Sequence, residues 1–582
     1  MSRNGEVAAL LEEYAALLEA QDVDFKPRAY RKAAQNIEDH PEPIEALAAE
    51  GLDAVTAIDG VGDGIGEKVI EYIETGEIAE LEEERDRLPV DMETLTRVEG
   101  VGPKTAAALY EALGITTLDE LETAARNGEV REVSGFGETT EANILEHVEF
   151  ARQSQERQLL GDARPVADDV LAHLEEVDVV ERCEVAGSIR RWRETIGDVD
   201  VLVGSDAGES VADAMADWDR VDSVIETGPT KTSVRIADMR VDLRVVTPTE
   251  FGSALQYFTG SKDHNITLRN HAIEKGLKIN EYGIFDVSDV ADPDAGQRVG
   301  ELLASETEEA VYEAVDLPWI APEMREDRGE IDAALAGELP DLIDHDDVRG
   351  DLHTHTDWSD GEFTVEEMLE GAAEFGHDYL CISDHAAGPG VFGDSGLTDE
   401  EVADQLEVVH EAGESVDIEV FTGIEANIAA DGTVGDLDDE TLAELDLVIA
   451  SPHSGLTAED DQTERLIAAI EHPAVDVLGH PSGRLLNQRP GIEFDPARLG
   501  AAAAEHDVAL EINSNPHRLD LWGSAVQTAI DAGATIVIDT DAHSPQEFGN
   551  LRYGIHTARR GWASPPDVLN TRDADGVREF LH

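Results

Sequence analysis

The sequence predicts a multidomain protein of combined α+β and α/β class, and three observations carry that reading. A hydrophobic-x-Gly-hydrophobic-Gly turn recurs three times between helical segments in the first 150 residues. Segments at Glu184–Gly187, Asp198–Val203 and Arg240–Val246 read as strands of one sheet that gathers three aspartates. From Gly350 onward, seven strand-like runs alternate with helical segments and end in polar residues, the pattern of a parallel sheet or barrel.

The three turns are Ile58–Gly66 (IDGVGDGIG), Val98–Thr105 (VEGVGPKT) and Val133–Thr140 (VSGFGETT). Paired glycines, Gly60 with Gly62 and Gly100 with Gly102, let the chain turn sharply and expose backbone N–H groups near a helix start. Such donors hold a DNA phosphate without reading a base. One such turn is as often a plain connector, but three in series favour helix-hairpin-helix clamps, with Lys104 beside the second. The third has no basic residue within it and is the weakest of the three, open to a purely structural reading. The densest basic patch is Lys26, Arg28, Arg31 and Lys32, which surrounds Tyr30 in FKPRAYRKAA.

The next segment opens into Gly187-Ser188 and the pair Arg190-Arg191. Asp198 and Asp200, two apart on one strand, share a face, and a neighbouring strand would bring Asp242 beside them. Three clustered carboxylates do not all stay ionised without cations. Two Mg²⁺ ions are the natural remedy, and such a pair catalyses in-line attack of an oxygen on phosphorus. The Gly-Ser turn leads into a helix whose free N–H groups can hold phosphate. These residues point to nucleotidyl transfer and away from a merely structural acidic cluster.

The wording goes further. GSIRRWRETIGDVD (Gly187–Asp200), RVDLRVV (Arg240–Val246), YFTGSKDHN (Tyr257–Asn265) and KINEYGIF (Lys278–Phe285) resemble the family X DNA polymerases in content and in order. The resemblance implies a nucleotidyltransferase palm with a thumb, in which Asp198, Asp200 and Asp242 hold the two catalytic metals. It implies that Gly187, Ser188, Arg191 and Gly197 grip the incoming triphosphate. Tyr257, Phe258 and Gly260 then meet the sugar, Asn265 the base, and Arg269 the template minor groove. Lys68 falls where some members form a Schiff base with an abasic sugar, and Lys26 and Tyr30 resemble the 5′-phosphate pocket beside it. Gly64 and Phe25 stand where animal members carry lysine and histidine, so an ordinary surface lysine is the other reading of Lys68. DLPWIAPEMREDRGE (Asp316–Glu330) resembles the end of the thumb, and the acidic stretch to about Val348 reads as a helical linker with a solvated face.

The seven later runs start at Gly350, Tyr379, Val420, Leu447, Val475, Ala509 and Thr535. A barrel would gather their C-terminal ends in one mouth. Six of them supply His353, His355, Asp360, His385, Glu425, His453, His480, Asp541 and His543. His353 with His355, and Asp541 with His543, are each two apart and face one way. Imidazoles mixed with carboxylates suit Zn²⁺, Mn²⁺ or Fe²⁺ better than Mg²⁺ alone. This region is similar to the polymerase-and-histidinol-phosphatase (PHP) domain, which implies a (β/α)₇ barrel with up to three Mn²⁺ or Zn²⁺ ions. By that likeness His353, His355, Glu425 and Asp541 hold one metal. Glu425 bridges to a second with His453 and His480, and Asp360, His385 and His543 hold a third. The likeness also implies 3′–5′ exonuclease or 3′-end phosphoesterase work. Arg484 is read equally as a phosphate grip and as a salt bridge.

The expected domains are a lyase-like helix-hairpin-helix region (1–85), a fingers-like one (86–158), palm (159–247), thumb (248–326), linker (327–348) and PHP barrel (349–582). A net charge of −87, from 129 Asp+Glu against 42 Lys+Arg, taken alone argues against nucleic acid. The acid is spread throughout, however, and 41% hydrophobic residues suffice to fold. The distribution looks like that of salt-accumulating halophiles, where the Debye length is about 3 Å at 1 M salt. Cys183 and Cys381 are expected as free thiols. No signal peptide and no apolar run of about 18 residues is present, so a high-salt, nucleoid-associated cytoplasmic location is expected. Expected partners are gapped or nicked DNA, dNTPs and DNA repair proteins, with no membrane and a monomeric state. The expected function is gap-filling synthesis in base excision or end repair, joined to 3′-end cleaning. Two rivals stay open: a phosphoesterase for a small phosphate ester with a vestigial palm, and a non-catalytic gap-binding scaffold.

Overall fold

The computed structural model describes residues 3–581 apart from 22–25, 39–43, 59, 97, 99–100, 134, 139, 146–147, 149–156, 238, 294, 389–395, 436, 457 and 459. Two units emerge, residues 1–157 with 487–489, and residues 158–486 with 490–582. In the first unit every regular element among the described residues is helical. Its core runs from Leu11 and Leu17 through Val61 and Ile65 to Val101, Leu109 and Leu121, so the first two hairpins share one apolar interior. Gly62 and Gly102 are the extended residues before helices Asp63–Thr75 and Pro103–Leu113. Gly60 sits at φ +72, where a Cβ would come within 3.0 Å of Lys32 Cγ, so the turn needs glycine for backbone and space alike. Gly100 lies outside the described residues.

The second unit begins with a five-stranded sheet in the order Arg182–Val185, Val199–Gly204, Met239–Val246, Lys231–Ile236, Ser223–Glu226. The pair Val199–Gly204 and Met239–Val246 is parallel, with Asp200 directly opposite Asp242. Side chains alternate across the sheet. Val201 and Val203 join a cluster with Val166 and Val170 of helix Leu160–Glu175, whereas Leu202 joins Phe251 and Leu255 of helix Phe251–Thr259.

A three-stranded antiparallel sheet, Leu277–Asn280, Gly283–Asp286 and Glu301–Ala304, follows helix Lys262–Glu274. Buried Glu308 ties the two parts together, 2.7 Å from Arg190 and 2.6 Å from Arg325. Burial works to raise its carboxyl, but Arg325 and Arg190 outweigh it and bring it down to about 2. The stability this group contributes is therefore full above its ordinary value of 4.5 and is lost as pH falls toward 2. Glu308→Gln is expected to cost about 3 kcal/mol at pH 7, since it strands two buried guanidinium groups. Urea midpoints should show that difference narrowing below pH 4.5. Helix Glu330–Ala336 buries Ile331 and Ala334. Glu330 is buried too, 2.6 Å from His264 Nδ1, and it accepts from the N–H groups of Asp327 and Arg328. The acids that follow it, Asp332, Glu338 and Asp341, are exposed.

The C-terminal part is a seven-stranded parallel sheet in chain order: Gly350–Asp351, Tyr379–Ile382, Glu419–Asn427, Leu447–Ser451, Val477–Leu478, Ala509–Asn513 and Thr535–Asp539. A parallel bridge between Thr354 and Ala542 brings its two edges together and all but closes a barrel. Leu352, Cys381, Phe421, Ile449, Val477, Ala509 and Val537, one from each run, form a single cluster. Alternate residues such as Ile424, Val448, Leu510 and Ile538 pack with the surrounding helices. Helix Val365–Phe375 starts at a capping box between Thr364 and Glu367. Both cysteines are free thiols, Cys381 buried and Cys183 half-buried.

Candidate active sites

The palm ladder begins at Val199, so Asp198 stands one residue outside it, followed by Asp200 inside. Burial, then Asp198 and Asp242, raise the Asp200 carboxyl to about 7. Burial also works to raise Asp242, but its hydrogen bonds and the Arg240 charge outweigh it and hold it low. The Arg240 fork reaches both Asp242 oxygens, at 2.8 and 3.0 Å, and Lys231 lies 3.8 Å away. Protein cations thus already stand against this carboxylate, and a half-neutralised trio of oxygen ligands suits hard divalent ions. Gly187, at φ +61, lies so close that a Cβ would be 2.2 Å from Asp200 Oδ2. Only glycine lets the turn approach the carboxylates.

A small cleft beside the trio is lined by Asp200, Asp242, Lys231, Arg244 and Phe258. Arg244 lies 4.3 Å from the centre of the Phe258 ring, and Tyr257 meets Phe258 edge-on at 5.2 Å. Arg240, Lys231 and Arg244 were not singled out from the sequence. The signal was present, since Arg240, Asp242 and Arg244 alternate along one strand and share a face. Ser188 lies in a single helical turn, Gly187–Arg190, and Gly197 is exposed. Arg191 is held by Glu326 at 3.0 Å and donates to the Thr259 carbonyl, next to Gly260. Asn265 donates to the Tyr257 carbonyl at 2.8 Å and accepts from Gln256 at 2.8 Å. Arg269 is exposed on the thumb helix.

In the barrel all nine expected ligands converge on one mouth. Glu425 is the hub: it lies 2.7 Å from His385, 2.9 Å from His480, 3.2 Å from His453 and 3.5 Å from His353. Asp541 is 3.1 Å from His355 Nε2, and Asp360 is 3.3 Å from both His385 and His543. Three groups have ligand atoms close enough to share an ion: His355, Asp360, His385 and His543; His353, His355 and Glu425; His385, Glu425 and His453. His355 and His385 thus each reach two groups. Nε2 of His353, both ring nitrogens of His355 and Oε2 of Glu425 are buried without a hydrogen-bond partner. Buried polar atoms are rarely left so, and such orphans fit a metal. Burial pushes His480 down to about 3, keeping it in the neutral form that ligates.

The ligand pairs do not lie on regular strand as the spacing suggests. The ladders stop at Asp351 and Asp539, and Asp541 takes a left-handed φ of +57. His480 is likewise left-handed, at φ +23. Strained backbone of this kind clusters at functional sites. Glu511 and Arg518 were missed by the sequence reading. Buried Glu511 lies 2.6 Å from His353 Nδ1 and accepts the His480 backbone N–H at 2.5 Å. It orients two of the expected ligands, as carboxylates behind metal-binding histidines do. Arg518 is 3.7 Å from Asp541, at the mouth. Arg484 donates to the carbonyls of Arg518 and Leu519 and lies 3.5 Å from Glu194, which makes it a structural arginine here.

Family models agree with this architecture. A helix-hairpin-helix domain matches residues 2–78 and a SAM-like helix-hairpin-helix tandem 92–149. The DNA polymerase beta thumb matches 254–326 and the PHP domain 351–515. Across 582 residues the chain is 34% identical to DNA polymerase/3′-5′ exonuclease PolX of Bacillus subtilis (strain 168), covering 99% of both. The chain belongs to the family X DNA polymerases. This family X chain also carries a PHP domain whose clustered His, Asp and Glu side chains can chelate metal. The sheet continues to Asp539, and Asp541 and His543 lie beyond the segment matched by the PHP model. The chain is 26% identical over 346 residues to DNA polymerase lambda of Rattus norvegicus, 56% of each. It is 30% identical over 242 residues to a probable phosphatase of Thermoanaerobacter sp. (strain X514), 93% of that protein and 40% of this one.

The N-terminal unit of this family X polymerase presents helix Lys26–Glu38 with Lys26 and Arg28 exposed and Tyr30 buried. Tyr30 meets Tyr14 edge-on at 4.8 Å. Lys68 pairs with Glu80 at 3.1 Å, and Glu80 also accepts from the Tyr14 hydroxyl. Burial works to lower the Lys68 amine, but Glu80 and Tyr30 outweigh it and hold it above its ordinary range. Lys104 lies one residue inside the helix that Gly102 opens. Among the described residues no helix is long and apolar enough to cross a membrane.

Proposed function

We propose that the palm adds dNMP units to a primer 3′-hydroxyl in short DNA gaps, and that the barrel mouth trims or dephosphorylates 3′ ends by metal-dependent hydrolysis. The single observation that carries this reading is the presence of two separate cation-demanding clusters in one family X chain, the carboxylate trio and the Glu425-centred mouth. Asp198, Asp200 and Asp242 would hold two Mg²⁺ ions, and the nine barrel ligands up to three Mn²⁺ or Zn²⁺ ions. Bound at either site, such ions supply the Lewis acidity that lowers the pKa of an attacking oxygen and neutralises phosphate charge.

The chain's own residues do the positioning. The Gly187 turn, with Ser188, Arg191 and Gly197, grips the triphosphate, and Tyr257, Phe258 and Gly260 face the sugar. Asn265 reads the base edge and Arg269 the template. In the mouth, Glu511 fixes His353, and Arg518 meets a substrate phosphate. Gly60, Gly62, Gly100, Gly102 and Lys104 clamp backbone phosphates, within regions 1–85 and 86–158. We read the chain as a monomer of a high-salt cytoplasm, because only screening lets so acidic a surface meet DNA.

Lys26, Tyr30 and Lys68 bind the 5′ phosphate. Lys68 is a poor Schiff-base nucleophile while Glu80 keeps it charged. Borohydride trapping on an incised abasic site should leave no adduct at pH 7, and a strong adduct would make Lys68 a lyase residue. The rival small-ester reading draws on the phosphatase relative. Turnover of a 3′-phosphate on gapped DNA against p-nitrophenyl phosphate tests the two. Preference for DNA is expected, and preference for the small ester would overturn the proposed barrel substrate.

A further inference from the structure

The turn that carries Ser188 and Arg191 is not supported by the palm alone. We propose that the barrel helix Leu551–Arg560 is a working wall of the polymerase's nucleotide site, with Arg560 as a positioning residue that sets how readily Arg191 engages a triphosphate. This rests on reading Arg191 as a triphosphate ligand.

Three observations meet there. Arg560 Nη1 donates to the backbone carbonyl of Arg191 at 2.7 Å and to Glu326 Oε1 at 3.1 Å. Arg191 Nε donates to that same Glu326 oxygen at 3.0 Å. One carboxylate oxygen is therefore shared between a palm arginine and a barrel arginine.

Next in the chain, Trp192 holds a left-handed φ of +51, rare for a bulky residue. Its indole lies flat on the His556 imidazole, ring centres 3.6 Å apart and planes 7° apart. Glu323 fixes His556 at 2.7 Å and takes Arg559 as well. The barrel helix thus braces the unusual backbone immediately after Arg191.

The third observation is charge. Arg191, Arg193 and Arg560 all lie within 3.4 Å of Glu326, with Glu194 the other carboxylate that faces Arg193 and Arg560, in a chain of net charge −87. Arg560 is buried and its Nε has no partner.

On this proposal a triphosphate draws the Arg191 guanidinium away from Glu326 and the Thr259 carbonyl. That exchange is easier when other cations keep Glu326 paired after Arg191 leaves. Arg193 and Arg560 do this, and Arg560 also holds the Arg191 carbonyl in place. Without Arg560, Glu326 competes harder with the nucleotide for Arg191.

The test is steady-state synthesis on one-nucleotide-gapped DNA by full-length Arg560→Gln, Arg560→Lys, Glu326→Gln and Arg191→Gln variants, with dNTP-free 3′ hydrolysis measured in parallel. Arg560→Gln should raise the KM for dNTP about tenfold, the scale of one charge-assisted hydrogen bond. Its kcat and 3′ hydrolysis should stay near parental, and Arg560→Lys should recover part of the loss. Glu326→Gln, which removes the competitor, should lower that KM, and it serves if Arg560→Gln fails to fold. An unchanged dNTP KM in folded Arg560→Gln overturns the inference. So does a fall in synthesis and hydrolysis together at constant KM, the mark of a mere scaffold, or a raised KM in folded Glu326→Gln. If Arg191→Gln itself leaves the dNTP KM unchanged, the reading of Arg191 fails, and this inference with it. If Arg191→Gln raises the KM and Arg560→Gln does not, only the role of the barrel helix is lost.

Discussion

Asp198→Ala is expected to abolish primer extension, by about a thousandfold or more, while 3′ hydrolysis stays near its parental rate. The reason lies in how the three carboxylates share charge. Asp200 is half-buried beside Asp198 and Asp242 and its carboxyl is pushed up to about 7, so entering cations would favour full ionisation of the trio. Asp242 already has Arg240 and Lys231 beside it, and Asp198 stands one residue outside the start of the ladder. Its removal takes away a proposed metal ligand without disturbing the ladder, which starts at Val199. Extension and hydrolysis gels on the same preparation, with thermal melting as a fold control, check the result. Loss of both activities in a folded variant would contradict two independent sites.

His353→Ala is expected to give the reverse pattern: 3′ hydrolysis falls by at least about a hundredfold and synthesis changes little. His353 is buried, its Nδ1 held by Glu511 and its orphaned Nε2 pointing between Glu425 and Asp541. Removing it strips one nitrogen donor from the group it forms with His355 and Glu425. Metal content after dialysis should fall together with hydrolysis. Hydrolysis that persists in metal-depleted His353→Ala would remove the barrel mouth as its source.

Much of this was legible in the sequence, for physical reasons that differ by element. Strand periodicity linked Asp198 to Asp200, and the neighbouring strand expected to bring Asp242 beside them pairs it directly with Asp200. The seven barrel runs were visible because each couples an apolar strand to a polar end. Local pattern did not reveal Arg560 beside Arg191, 369 residues apart in sequence. The role of Glu511 was hidden similarly: within ALEINSN it reads as an ordinary strand residue, and only barrel closure sets it against His353. Asp541 and His543 were correctly gathered, though by a left-handed turn and not by strand alternation. The burial of Glu330, at the end of the thumb-like segment, depends on His264, a partner no local pattern predicts.

On the proposed function, one chain synthesises at the palm and hydrolyses at the barrel. A 5′-labelled primer on one-nucleotide-gapped DNA, in molar KCl with Mg²⁺ or Mn²⁺, tests it most directly. Extension by one nucleotide with dNTPs and shortening without them is the predicted result. Shortening alone, by protein shown to be folded, would contradict it and leave the palm as a DNA-holding module.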